Sequence, residues 1–169
     1  AKTAARGRVE EAKTKLKERL SAIKDEQKKK RVERVSERLA QINEKTVSVF
    51  ANSVEKLSEA SAKLTDRADG LGDTVDLSAV RGLIANADSL IVSANGAVTA
   101  QAAKVYNIAD VIGDEKTLKS DITPVRNQLK TDLSAVRDQI KAAKDAVREA
   151  ATALAQVVKT NNASDVPAQ

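Results

Sequence analysis

From Val9 to Ala68 the chain contains neither glycine nor proline. Sixty residues without a breaker leave little choice but helix, and the apolar positions agree. One stripe runs through Val9, Ala12, Leu16, Leu20 and Ile23, passes polar Gln27 and Arg31, and continues through Val35, Leu39, Ile42, Thr46, Phe50, Val54, Leu57, Ser61, Leu64 and Ala68. The mean step is about 3.7 residues, the period of a straight helix and nearer to an eleven-residue repeat than to a heptad. Lys, Arg, Glu and Gln, all good helix formers, fill the positions between. Gly70 and Gly72 then stand where glycines end helices. The sequence predicts one unbroken helix over 3–69, roughly 90 Å long at 1.5 Å per residue.

Two more helices follow. The second is predicted over 76–107, opening at Asp76, a good N-cap. Its seam repeats every seven residues at Leu77, Ile84, Ile91, Val98 and Val105, with Val80, Ala87 and Ala94 as a second set. Gly82 and Gly96 interrupt it and would permit close backbone approach. The third is predicted over 120–160, with Pro124 confined to its first turn, where proline is tolerated. Its seam is Ile122, Leu129, Val136, Ala143, Ala150 and Val157, interleaved with Val125, Leu133, Ile140, Val147 and Leu154. The expected fold is all-α: a three-helix bundle with one very long N-terminal helix projecting beyond it. Residues 1–34 form the basic arm and 35–160 the bundle, with helices over about 35–69, 76–107 and 120–160. Residues 161–169 form a polar tail.

The hexapeptide Asp-Leu-Ser-Ala-Val-Arg occurs twice, at Asp76–Arg81 and Asp132–Arg137. In both copies Leu and Val fall three apart on the seam. Beyond it only apolar positions match, so the repeat reads as two similar helices with similar core letters rather than a repeated binding unit.

Chemistry has little to work with. The chain has no His, no Cys, no Met and no Trp, with one Tyr and one Phe. Disulfides are excluded, and most zinc sites and the usual general bases and nucleophiles lack their residues. Asp110, Asp114 and Glu115 cluster in the second connector and are the one candidate for a weak cation site. The expectation is no enzymatic activity, no cofactor, no metal and no small-molecule substrate. Asn162–Ser164 is a formal glycosylation sequon. No run is long and apolar enough for a transmembrane segment.

Charge is uneven. Residues 1–50 carry 15 Lys/Arg and 8 Asp/Glu, net +7, while 51–110 carry net −3 and 111–169 net +1. A basic first half raises nucleic acid or an anionic surface as a partner. Against nucleic acid, Lys28, Lys29, Lys30 and Arg31 point about 100° apart on a helix and no aromatic lies near for stacking. Asp25 with Lys29 and Glu26 with Lys30 have the spacing of helix-supporting pairs.

The arm is the unfinished part. The second helix covers only about half of the first, leaving Val9, Ala12, Leu16, Leu20 and Ile23 without a partner in the bundle. Either the long helix breaks near Gln27–Arg31 and folds back, or the stripe packs on another copy. The segment 25–34 offers no turn residue except Asp25, which favours the second. These five residues are the expected assembly interface, and a contact between unlike patches generates open filaments unless it closes.

The run "RVEEAKTKLKERLSAIKDEQKKKRVERVSERLAQINEK" with the later "DLSAVRDQIKAAKDAVREA" resembles a group of helical proteins of candidate-phyla (Patescibacteria) bacteria. In that group a signal peptide precedes a charged long helix, followed by an alanine-rich helical part. The resemblance implies export to the cell surface or beyond, and no site residues; the first residue, Ala1, is one that signal-peptide removal could leave. The reading is a secreted, non-enzymatic structural subunit assembling with copies of itself into a filament or surface appendage. A protein that binds nucleic acid or an anionic surface through residues 1–50 is the alternative.

Overall fold

Four α-helices carry the described residues: α1 (Lys2–Ser21), α2 (Glu26–Asp69), α3 (Ser78–Ala102) and α4 (Leu118–Ser164), with a short 3-10 turn at Ile108–Asp110. The computed structural model describes residues 2–72, 75–113 and 116–164, and the side chains of 7–72, 75–113 and 116–161. No strand occurs among the described residues.

The long N-terminal helix is broken, which corrects the expectation of one helix over 3–69. The break falls at 22–25, just ahead of the polar gap in the stripe. α1 closes with short-range bonds, Ala22 N–H to Arg19 O (3.3 Å) and Ile23 N–H to Leu20 O (3.1 Å). Asp25 then starts α2: its Oδ1 accepts the N–H groups of Gln27 (2.8 Å) and Lys28 (3.2 Å). One acceptor thereby satisfies two of the donors that a new helix leaves free. The Asp25 carboxylate is taken up by the cap, and the Lys29 ammonium pairs with Glu26 instead, at 2.6 Å.

Folding back covers the stripe. Leu16, Leu20 and Ile23 are 5, 3 and 4 % exposed. α1 packs on the 3-10 turn, whose Ile108 and Ala109 are buried. The Lys13 pKa is raised first by its hydrogen bond to Glu10 and by that residue's charge, and least by the charge of Glu37 on α2. Burial of three aliphatic side chains, at roughly 1.5–3 kcal/mol each, decides for the folded-back arm over an exposed one.

The chain divides into two packed units, and α2, α3 and α4 each contribute a stretch to both. Unit 1 comprises residues 1–49 and 98–136; unit 2 comprises 50–97 and 137–169. Unit 2 is built from three helical stretches. Its core joins Ala68, Leu77, Val80, Ile84, Ala150 and Leu154, with Leu64, Leu83 and Val157 packed around them. Unit 1 holds the α1–α2 hairpin, the end of α3, the second connector and the start of α4.

The seam of α3 is buried as expected from Leu77 to Val98. Gly82 and Gly96 do not serve close approach, because a Cβ at either would meet open space. On α2 the buried line is displaced from the expected one. Val32 and Asn43 are buried, whereas Ile42 is 40 % exposed. Val32, Asn43 and Val54 are spaced by eleven, as are Leu39, Phe50 and Ser61, so the eleven-residue period holds with a different phase in its first part.

Boundaries shift for local reasons. α3 ends at Ala102 rather than 107, since Ala103 and Lys104 turn back onto the carbonyls of Ala100 and Gln101. At the α2–α3 turn Gly72 adopts a left-handed φ of 65°, the conformation that costs glycine least. α4 begins at Leu118, so Pro124 lies inside the helix rather than in its first turn. Asp121 secures this stretch: its Oδ2 accepts from Thr117 Oγ1 (2.8 Å) and from Gly113 N–H (3.0 Å). α4 runs on to Ser164, through the sequon expected in the tail, and 165–169 lie outside the described residues.

Candidate functional site

The most connected polar cluster lies within unit 1 and links four segments. Asn43 of α2 is buried; its Nδ2 donates to the carbonyls of Gln101 (3.3 Å) and Lys104 (3.4 Å) at the end of α3. Gln101, 1 % exposed, donates from Nε2 to Asn43 Oδ1 (2.8 Å) and to the hydroxyl oxygen of Tyr106 (2.6 Å). Tyr106 donates in turn to Asp132 Oδ2 at 2.7 Å. Asp132, on α4, also accepts from Gln128 Nε2 (2.9 Å) and pairs with Lys104 Nζ (2.9 Å). The chain of bonds runs from a buried amide to a charged pair at the surface.

A shallow groove of about 600 Å³ opens beside it, lined by Arg8, Ala100, Ala103, Lys104, Val105, Tyr106, Gln128 and Asp132. Lys104, Tyr106, Gln128 and Asp132 spend their polar groups on one another. Among the described residues no buried side-chain nitrogen or oxygen lacks a hydrogen-bond partner. A second shallow cleft, in unit 2 between Val75–Val80 and Ala153–Asn161, is lined mainly by Ala, Val, Thr and amide side chains.

The electrostatics suit a fastening rather than a proton exchanger. Burial, then the hydrogen bond to Asp132, pushes the Tyr106 hydroxyl far above the usual tyrosine range. Burial is the largest influence on Asp132 and opposes its charge, but the hydrogen bonds from Tyr106, Lys104 and Gln128 outweigh it and hold its carboxyl below the ordinary value. A depressed carboxylate adds stability above its unfolded pKa, and that stability is lost as pH falls through the folded pKa. A tyrosine raised on folding does the opposite: its stability is lost as pH climbs past the unfolded value near 10. Unfolding midpoints in urea are therefore expected to stay level through neutral pH and to fall below about pH 4 and above about pH 10. Asp132→Asn should remove part of the acid limb, and Tyr106→Phe part of the alkaline one.

Of the five residues expected at an assembly interface, Leu16, Leu20 and Ile23 are buried inside unit 1, and Val9 and Ala12 are half-buried. Asp110 is exposed, and no group of three potential metal ligands occurs among the described residues. Asp114 and Glu115, the other two residues of the candidate cation site, lie outside those residues. The network residues escaped sequence reading, though a signal was there. Continuing the step of seven from Val80, Ala87 and Ala94 lands on Gln101.

The two hexapeptide copies share packing and differ in their polar work. Leu77, Val80, Leu133 and Val136 are all buried. Asp76 accepts Ser78 N–H (2.9 Å) just ahead of α3, whereas Asp132 is the hub of the network in mid-helix.

No family model, curated protein or solved structure matches this chain.

Proposed function

We propose that the protein is a non-enzymatic helical structural subunit that works through its exposed surfaces. The observation that carries this reading is the use of its buried polar groups. Asn43, Gln101, Tyr106 and Asp132 fasten three helices and a connector, and Ser61 Oγ fastens α2 to α3 through Asp88 (2.6 Å). Fully satisfied networks of this kind rigidify and specify a packing. A filament or appendage outside the cell, made of copies of this chain, is the form the sequence suggests. Leu16, Leu20 and Ile23 are occupied within their own chain, so contact between copies would draw on exposed residues instead. Sedimentation from about 1 μM to 1 mM is expected to show assembly that survives Leu16→Ala, and elemental analysis is expected to show no stoichiometric transition metal. A bound metal, or a strictly monomeric chain across that range, would overturn the reading.

The charge distribution favours a second reading, an anionic partner. Unit 1 carries 20 Lys/Arg against 13 Asp/Glu, net +7, and unit 2 carries 9 against 11, net −2. Titration of duplex and single-stranded nucleic acid at about 150 mM salt separates the two, because weak basic surfaces release phosphate there. Binding tighter than micromolar would favour nucleic acid.

A further inference from the structure

The exposed side of α2 in unit 1 is ordered in a way the overall charge conceals. Ile42 and Val49 are 40 and 62 % exposed, and half-buried Val35 precedes them by the same step of seven. At about 100° per residue these three align within about 40°. Arg31, Arg34, Arg38 and Lys45 project beside them, all exposed, within about 80° on one flank. None of the four has an ion-pair partner among the described residues. The acidic residues of the same stretch, Glu33, Glu37 and Glu44, lie at least about 100° around the helix from the stripe's centre. The buried line of Val32, Leu39 and Asn43 lies about 60–100° from that centre, on the side opposite the basic flank. The stretch thus has three faces: one packed, one acidic, and one apolar with a basic border.

We propose that this face of α2 is a docking surface for an amphipathic helix of another protein whose apolar residues recur every seven and are bordered by Asp or Glu. Aliphatic residues at a step of seven are the seam of a helix-on-helix contact, and bordering charges choose the partner. A nucleic-acid backbone would use the cations but gain nothing from Ile42 and Val49 between them. An anionic membrane would want aromatic or more numerous aliphatic side chains than this face offers. A second copy laid on the same face would set Arg and Lys against Arg and Lys, which costs affinity. The proposal rests on the reading of the protein as a structural subunit and adds a partner other than its own copies.

The test uses the full chain and two labelled 21-residue helical peptides with the same leucine seam, one bordered by Glu and one by Lys. The Glu-bordered peptide is expected to bind at least about ten times more tightly, a difference of about 1.4 kcal/mol. Arg38→Glu with Lys45→Glu should reverse the order, and Ile42→Asp with Val49→Asp should abolish binding of both. These positions are exposed, so circular dichroism should be unchanged; Arg38→Gln with Lys45→Gln, expected to level the two affinities, serves should the reversal variant misfold. Equal affinities in the native chain, an order that survives charge reversal, or binding of duplex DNA or phosphatidylglycerol vesicles in place of the peptide would overturn the assignment. A chain that assembles with itself yet ignores both peptides would refute this surface while leaving the structural-subunit reading standing.

Discussion

Leu20→Asp is expected to lower stability by about 4 kcal/mol or more, and by the same amount at every protein concentration. Leu20 is 3 % exposed inside unit 1, so the substitution removes a buried aliphatic side chain and places a carboxylate where no partner waits. Were Leu20 an intermolecular contact, the monomer would tolerate the change and only assembly would suffer. Urea unfolding at about 1 and 100 μM distinguishes the two. Loss confined to the higher concentration would return Leu20 to an interface between copies.

Gln101→Ala should cost about 2–4 kcal/mol. The change deletes both donors that Gln101 supplies, one to buried Asn43 and one to Tyr106, and leaves a cavity at a position 1 % exposed. Asn43→Ala should cost a similar amount, since it frees two carbonyls at the end of α3 as well as Gln101. Because both changes break the bond between Gln101 Nε2 and Asn43 Oδ1, the double variant should fall short of their sum by at least about 1 kcal/mol. Additive losses would mean that the two side chains act separately.

The helical class was legible because period and composition agree over long stretches, and the α3 and α4 seams follow directly from it. The break at 22–25 was not, because it uses no glycine or proline. It depends on one aspartate finding two backbone donors and on three aliphatic side chains becoming buried as α1 packs on the 3-10 turn. The first is local and visible as the lone turn residue of its stretch; the second is tertiary and invisible to periodicity. The polar network was hidden for a related reason. Asn43 occupies the buried line because α2 turns its seam toward α3, and an eleven-residue spacing over a short segment tolerates a shift of phase. Tyr106 and Asp132 come together only once the connector is folded. Pro124, placed in a first turn from its usual preference, sits deeper because Gly113 and Thr117 hold the start of α4 through Asp121.

The hairpin at Asp25 is what completes unit 1, and distance tests it most directly. The chain has no cysteine, so Lys13→Cys with Glu37→Cys gives two unique labelling sites on exposed positions. Packed antiparallel helices lie 8–10 Å apart, so pulsed electron paramagnetic resonance should report a spin–spin distance under about 20 Å. A continuous helix would hold the same sites about 36 Å apart, 24 residues at 1.5 Å each. The short distance is expected in dilute solution; the long one would contradict the folded-back arm and restore the projecting helix.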